Sequence, residues 1–392
     1  MLQVIIPSIE VDSLFKLYGF NKSKYLLPLD VNLANIIEHA IYSLNITIDC
    51  KYFFIVNDHL TEVITFLNDI CTKKSYNYEI IISNNLIEDS TSIVYEIINK
   101  LDINEPLLLS NADQILKWNS TKFFNKCQLY DSCKLRYNSS NTKEFIGIQY
   151  FKNAEYFINI YTHIFDKNLN IYNYDLDNDE HFYIIRDPND YFNYLNNCGG
   201  YKMLIEPINN KSIIYKNNQV NIVYEIYNEN IEISNKGFIL LLEGNAKIID
   251  NGVNNVTITK EMITTYNILT MNTCKILHIS YPELQMNNTW NITNFTRGWL
   301  IGNFLPSIIK TTNFEVGLLT HKKDEKWAFH YHQYMTEINV LVSGSMKLNE
   351  KILQSNTIFT IYKNEIACPI FLEDCKILCI KVPSVVNDKV CI

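Results

Sequence analysis

Apolar positions fall into two rhythms along the chain, and the rhythm changes near residue 200. In the first part, short apolar runs at 2–7, 52–56, 78–83 and 106–110 alternate with stretches at 32–44, 60–70 and 90–101. In those stretches apolar residues recur every three to four positions. The runs predict buried strands and the stretches predict helices, the last opened by Asp89 or Ser90 as N-cap. Strand, helix, strand at this spacing implies a parallel sheet with right-handed crossovers. Ligands in such sheets bind at the carboxyl ends of the strands, which puts the residues after Pro7 and those at 111–114 at the mouth. Beyond Gly199-Gly200 the chain turns to short strands of alternating polarity broken by Asn-rich turns, which predicts an all-β half.

The all-β half repeats itself. Ile239-Leu240-Leu241-Leu242-Glu243-Gly244 matches Val340-Leu341-Val342-Ser343-Gly344, with the two glycines one hundred positions apart. Cys274-Lys275-Ile276-Leu277 matches Cys375-Lys376-Ile377-Leu378 at nearly the same offset. Composition does not produce such self-similarity, so two copies of one small barrel are expected in succession.

Composition narrows the chemistry mainly by exclusion. With 392 residues the chain holds more than one core. A formal charge of −8 without clustered Lys and Arg gives no footprint for nucleic acid or an anionic membrane. The start, Met1 to Pro7, lacks a basic leader and a small-residue cleavage site, and no run of apolar residues reaches membrane-spanning length, so a cytoplasmic protein is expected. Ten Cys are scattered without a CxxC pair and read as reduced thiols. Sequons such as those at Asn138 and Asn291 then follow from an Asn-rich chain.

Candidate chemistry lies in the second copy. His330-Tyr331-His332 places two imidazoles on one face of a strand, because side chains alternate with period two. After the four residues Gln333, Tyr334, Met335 and Thr336, Glu337 opens the next strand beside them. Two His and one carboxylate converging in a barrel suit Fe(II), Mn, Ni or Zn with open positions left over. A pair of core histidines, or a metal-free proton shuttle suited by the imidazole pKa, are the alternatives.

This HxH, four residues, Glu, then Gly344, resembles the first motif of the cupin superfamily. The second cupin motif brings a histidine from a later strand, and the stretch Asn364-Glu365-Ile366-Ala367-Cys368-Pro369 has none. With Phe295-Thr296-Arg297-Gly298-Trp299-Leu300-Ile301-Gly302 and Val382-Pro383-Ser384, residues 295–392 look like the cupin domains found beside sugar nucleotidyltransferases in surface-glycan gene sets. The first copy, at 201–290, has Asn230, Glu232 and Gly237 at the equivalent positions and reads as structural.

Residues 1–197 resemble sugar-1-phosphate nucleotidyltransferases. The likeness rests on Pro106-Leu107-Leu108-Leu109-Ser110-Asn111-Ala112-Asp113, on Lys24 with Leu26-Leu27-Pro28, and on Pro188-Asn189-Asp190. It implies a GT-A-like parallel sheet with crossover helices, followed by two cupin-type β-barrels. It also implies that Asp113 holds a Mg²⁺ bridging the phosphates and that Lys24 meets a phosphate; a helix-capping acid and a surface lysine are the plainer readings. Where the family carries a glycine-rich loop with an Arg, this chain reads Ser8-Ile9-Glu10-Val11-Asp12-Ser13-Leu14. A carboxylate about 4 Å from a phosphate charge costs about 1 kcal/mol in water and about 4 kcal/mol at an effective dielectric of 20. The family's second metal-binding Asp falls on Ile184, and Arg186-Asp187 replaces its Gly-Thr. The domain is therefore expected to be inactive, or reshaped to hold a finished nucleotide sugar.

Together these readings point to a protein of activated-sugar metabolism. Its last cupin isomerises, epimerises or otherwise modifies a sugar or nucleotide sugar, with His330, His332 and Glu337 as the catalytic and metal-binding set. A non-catalytic carbohydrate-binding scaffold and an active nucleotidyltransferase are the competing functions. Pairing of barrels into a homodimer through edge strands is a further expectation.

Overall fold

The first apolar runs lie side by side in a computed structural model of the chain, which describes all residues except 9–12, 85–89, 140–141, 163–169, 201, 230–231, 234–236, 249–256, 267 and 282–287. Two units result, Met1–Gly200 together with Ile392, and Tyr201–Cys391.

In the first unit β1 (Leu2–Ser8), β2 (Cys50–Asn57), β3 (Tyr78–Ser83) and β4 (Leu107–Leu109) pair in parallel. Beyond a two-stranded ribbon of β5 (Gln114–Lys117) and β9 (His181–Ile184), the sheet continues through β6 (Ser132–Ser139), β7 (Thr142–Phe151) and β8 (Ile171–Asp175). Its order is β3-β2-β1-β4-β7-β6-β8, and β7 runs antiparallel to both β4 and β6. The sheet is thus mixed, parallel over its first four strands. Helices cover both faces, so β1 is buried throughout: Val4 and Ile6 enter one core with Ile37, Val63 and Phe123, and Ile5 enters the other with Val94 and Phe157. The helices form at Ile36–Ser43, Thr61–Lys73 and Ser90–Ile97, close to the periodic stretches. Asn35 caps the first by accepting the Glu38 N–H at 3.1 Å. The expected cap at Asp89 lies outside the described residues.

The second unit is built of strands. The first barrel has β11 (Lys211–Lys216), β12 (Asn221–Tyr227), β13 (Glu232–Ile233), β14 (Gly237–Ile248), β15 (Thr257–Thr259), β16 (Met262–Thr264), β17 (Ile268–Ser280) and β18 (Thr289–Asn291). The last barrel has β19 (Trp299–Gly302), β20 (Ile309–Lys310), β21 (Glu315–His321), β22 (His330–His332), β23 (Thr336–Ser343), β24 (Ser345–Leu348) and β25 (Lys351–Gln354). It closes with β26 (Thr357–Ile361), β27 (Pro369–Phe371), β28 (Cys375–Val382) and β29 (Lys389–Cys391). β10 (Leu204–Pro207) precedes the first barrel in sequence but pairs with β26, so the last barrel's sheet reads β10-β26-β23-β28-β21-β19-β20. The chain is therefore divided between barrels by pairing rather than at one point in sequence.

The repeat is visible in which core each position faces. Leu240 and Leu242 in the first copy and Val340 and Val342 in the second enter one core shared between the barrels. Leu241 and Leu341 turn to the interior of their own barrels. Gly244 and Gly344 follow with φ +89° and +88°. A Cβ there would come within 2.6 Å of the Thr273 and Asp374 carbonyl oxygens respectively, so both copies need glycine at the bend.

Candidate functional site

Period-two alternation aims a row of polar side chains into the last barrel. Glu337 on β23 lies directly opposite Lys381 on β28, which in turn lies opposite Glu315 on β21. Lys381 Nζ is 3.5 Å from Glu337 Oε2, and Glu315 Oε1 accepts the Ser384 hydroxyl at 2.8 Å. One row along, Asn339 donates to Glu337 Oε1 at 2.9 Å. Gly317 leaves room for the Trp299 ring, whose atoms would come within 2.8 Å of a Cβ there.

The two histidines of β22 play different parts. A carbonyl oxygen can only accept, so His330 Nδ1, 2.9 Å from the Ala328 oxygen, carries the proton and Nε2 stays bare. Burial, with Lys389 nearby, pushes the His330 pKa down to about 4, so the ring is neutral at pH 7. His332 lies between two acids, Nε2 at 3.2 Å from Glu337 Oε2 and Nδ1 at 3.6 Å from Asp388 Oδ2. Asp388 is buried and accepts three backbone N–H groups, of Gln333 at 3.1 Å, Tyr334 at 2.9 Å and Met335 at 3.1 Å. It ties down the turn that joins the histidine strand to Glu337.

Burial by itself would raise the Glu337 pKa, but the hydrogen bond from His332 and the charge of Lys381 outweigh it and hold the carboxyl well below the usual range. Burial likewise works against charge on Lys381, and the Glu337 and Glu315 carboxyls reverse it, so the amine stays protonated. His330, Glu337, Asn339 and Lys381 line a cavity of about 830 Å³ with Arg297, Trp299 and Trp327. His332 stands behind Glu337 and does not line it.

The residues do not fit the divalent metal expected here. Among the described residues no group of three His, Cys, Asp or Glu is arranged to hold a metal ion. The Glu337 carboxylate is spent on Asn339, His332 and Lys381, and the Lys381 ammonium supplies the positive charge a metal would bring. Cys368, in the stretch that carries no histidine, hydrogen-bonds the Trp327 carbonyl at 3.5 Å, and burial raises its pKa to about 11.

In the first unit Lys24 and Asp113 meet each other. Lys24 Nζ donates to Asp113 Oδ2 at 3.0 Å with both side chains buried, so each charge neutralises the other. The substituted loop at 9–12 lies outside the described residues, as does Asn230 in the first barrel. Ile184 pairs with Gln114 in the ribbon.

No family model and no curated protein matches the chain. Solved structures it is similar to include sugar nucleotidyltransferases and cupin and pirin proteins, the pairing that the sequence resemblance implies. A nucleoside-diphosphate-sugar pyrophosphorylase of Vibrio cholerae is 14% identical, over 50% of this chain and 100% of that one, with a TM-score of 0.42. A bacterial pirin of Escherichia coli solved with nickel(II) is 10% identical, over 47% of this chain and 100% of that one, with a TM-score of 0.35. A cupin 2 conserved barrel domain protein of Leptotrichia buccalis is 14% identical, over 46% and 89%, with a TM-score of 0.30. At such identities the chemistry rests on this chain's own side chains.

Sequence reasoning passed over Lys381, Asn339 and Asp388. Lys381 and Asn339 are polar interruptions of apolar strands, a signal that the strand register alone turns into a site. Asp388 gives no local signal, because it reaches the turn at 333–335 from 53 to 55 positions further along the chain.

Proposed function

We propose that the last barrel moves protons on the carbon skeleton of a carbonyl-bearing sugar carried on a nucleotide, isomerising or epimerising it without a resident metal. One observation carries the reading. A single cavity receives an imidazole with a bare nitrogen, a carboxylate and an ammonium group, in His330, Glu337 and Lys381.

Removing a proton beside a carbonyl needs a neutral base at the carbon and positive charge at the oxygen. His330 Nε2 takes the proton, the C–H electron pair becomes the new C=C bond, and the carbonyl π pair moves onto oxygen. Lys381 holds that oxygen, Glu337 keeps the amine charged and placed, and His332 orients Glu337. The cavity volume lies within the usual range for small-molecule sites. Trp299 and Trp327 offer flat faces for a sugar ring or base, and Arg297 offers a cation to a phosphate.

The first unit is read as a holder of nucleotide sugar rather than a transferase, because Lys24 and Asp113 are spent on each other. A cavity there of about 620 Å³, lined by Tyr42, Tyr183 and Tyr194 among others, supports the holding role. A place in glycan assembly follows from that combination.

The test incubates the full chain, stripped with chelator, with nucleoside diphosphate 4-keto-6-deoxyhexoses and follows product by proton NMR. Turnover that survives chelation and is lost in His330→Gln is expected. Stoichiometric bound metal that disappears in His330→Ala and Glu337→Ala, with turnover following the metal, would overturn the metal-free mechanism.

A further inference from the structure

A second oriented imidazole faces the same cavity, and no expectation from the sequence included it. His321 ends β21, 7% exposed, and lines the cavity with His330. Its ring stacks on Phe371 with centroids 4.1 Å apart and planes 3° from parallel. Nδ1 lies 3.1 Å from Glu325 Oε1.

Glu325 is fixed from several sides. Its Oε1 also accepts the Trp327 indole N–H at 2.7 Å, and its Oε2 accepts the Lys322 N–H at 3.0 Å. The backbone N–H of Phe371 closes on the Glu325 carbonyl at 3.0 Å, tying the turn to β27. An ionised carboxylate only accepts, so His321 Nδ1 carries a proton, and Nε2 is the nitrogen through which the neutral ring would act as a base. This is how a carboxylate holds a general-base imidazole in its working tautomer.

Both imidazoles lie against one indole. The His321 ring centroid is 5.3 Å from that of Trp327, and the His330 centroid is 6.0 Å from it on the same indole. Bases on opposite walls would act on the two faces of one carbon. Two bases at separate points of one cavity can also address two carbons of a single ligand.

We propose that His321, oriented by Glu325, is a second base of this site, serving the carbon on one side of the substrate carbonyl while His330 serves the carbon on the other. The assignment rests on the proton-transfer function proposed above. Each base takes a proton onto Nε2 while the C–H pair forms the enolate C=C bond and the carbonyl pair moves to the oxygen beside Lys381. Return of the proton reverses the flow, so no oxidant or co-reactant is needed.

The experiment places the full chain in D₂O with a nucleoside diphosphate 4-keto-6-deoxyhexose and reads deuterium separately at the two carbons flanking the carbonyl. Wild-type protein washes deuterium into both. His321→Gln loses wash-in at one carbon by about 100-fold or more and keeps the other, and His330→Gln does the converse. Glu325→Gln, which leaves the imidazole and its stacking in place, slows the His321 carbon alone. Wash-in at both carbons by His321→Gln at the wild-type rate overturns this inference and leaves the proposed function standing. Equal loss at both carbons in His321→Gln and Glu325→Gln also overturns it, since one base would then serve the whole ligand. No wash-in by wild-type protein overturns the proposed function itself.

Discussion

Two side chains of the site carry consequences that can be measured without knowing the ligand. His330 is neutral when folded, with its pKa pushed down to about 4, against about 6.5 in an unfolded chain. Between those values the unfolded state binds a proton that the native state refuses, so stability falls as pH falls from 6.5 toward 4. At pH 5 the loss from this group is about 2 kcal/mol relative to pH 7.5. Urea unfolding of wild type and His330→Gln at the two pH values is expected to show the variant losing less by that amount. Lys381 is expected to behave as the counter-charge of a buried carboxylate. Lys381→Met leaves Glu337 with His332 and Asn339 alone, at a cost of about 3–5 kcal/mol. Adding Glu337→Gln restores part of that, so a double-mutant cycle by chemical denaturation gives a coupling well above the error of such cycles, about 0.5 kcal/mol. Additive losses would mean that the pair does not interact as the 3.5 Å separation indicates.

The strands and turns show what a linear reading reaches. β3 at Tyr78–Ser83 coincides with its apolar run, and HxH falls on its own strand, because period-two and apolar-run signals are local. The repeat placed both barrels. Pairing across long sequence separations is not local, and it is where reading stopped: β10 crosses to β26, and Asp388 crosses to the turn before Glu337. The expected metal set met the same limit. A histidine pair and an acid at the right spacing say nothing of Lys381, which the register alone sets opposite Glu337. Asp388 therefore makes a test of the element. Asp388→Ala strands three backbone N–H groups of the 333–335 turn and removes the acid beside His332, at a cost of about 2–4 kcal/mol, since one hydrogen bond to a charged group contributes about 1.5–3 kcal/mol net and water can replace much of the bonds at exposed Gln333 and Tyr334 but not at buried Met335. Hydrogen exchange at Gln333, Tyr334 and Met335 is expected to rise more than at β21, on the far side of the sheet.

At the scale of the molecule, the two barrels share a core that neither completes alone. Leu240, Leu242 and Phe238 from the first copy pack with Val340, Val342 and Leu378 from the second, all buried. The first barrel has no histidine pair, and its contribution to the site is the wall it gives the second, with Glu261 lining the cavity beside Ile292 and Thr293, which directly follow its last strand. A shared core makes unfolding of the barrels one event, because separating them would expose apolar surface on both. Leu240→Ala, entirely within the first copy, is expected to cost about 2–5 kcal/mol. It is also expected to lower the denaturation midpoint reported by Trp299 and Trp327, which belong to the second. Fluorescence in a Trp118→Phe, Trp290→Phe background isolates those two indoles. If their transition held its midpoint while circular dichroism showed the first barrel melting early, the barrels would be separate folding units. The structural role assigned to the first copy would then fail.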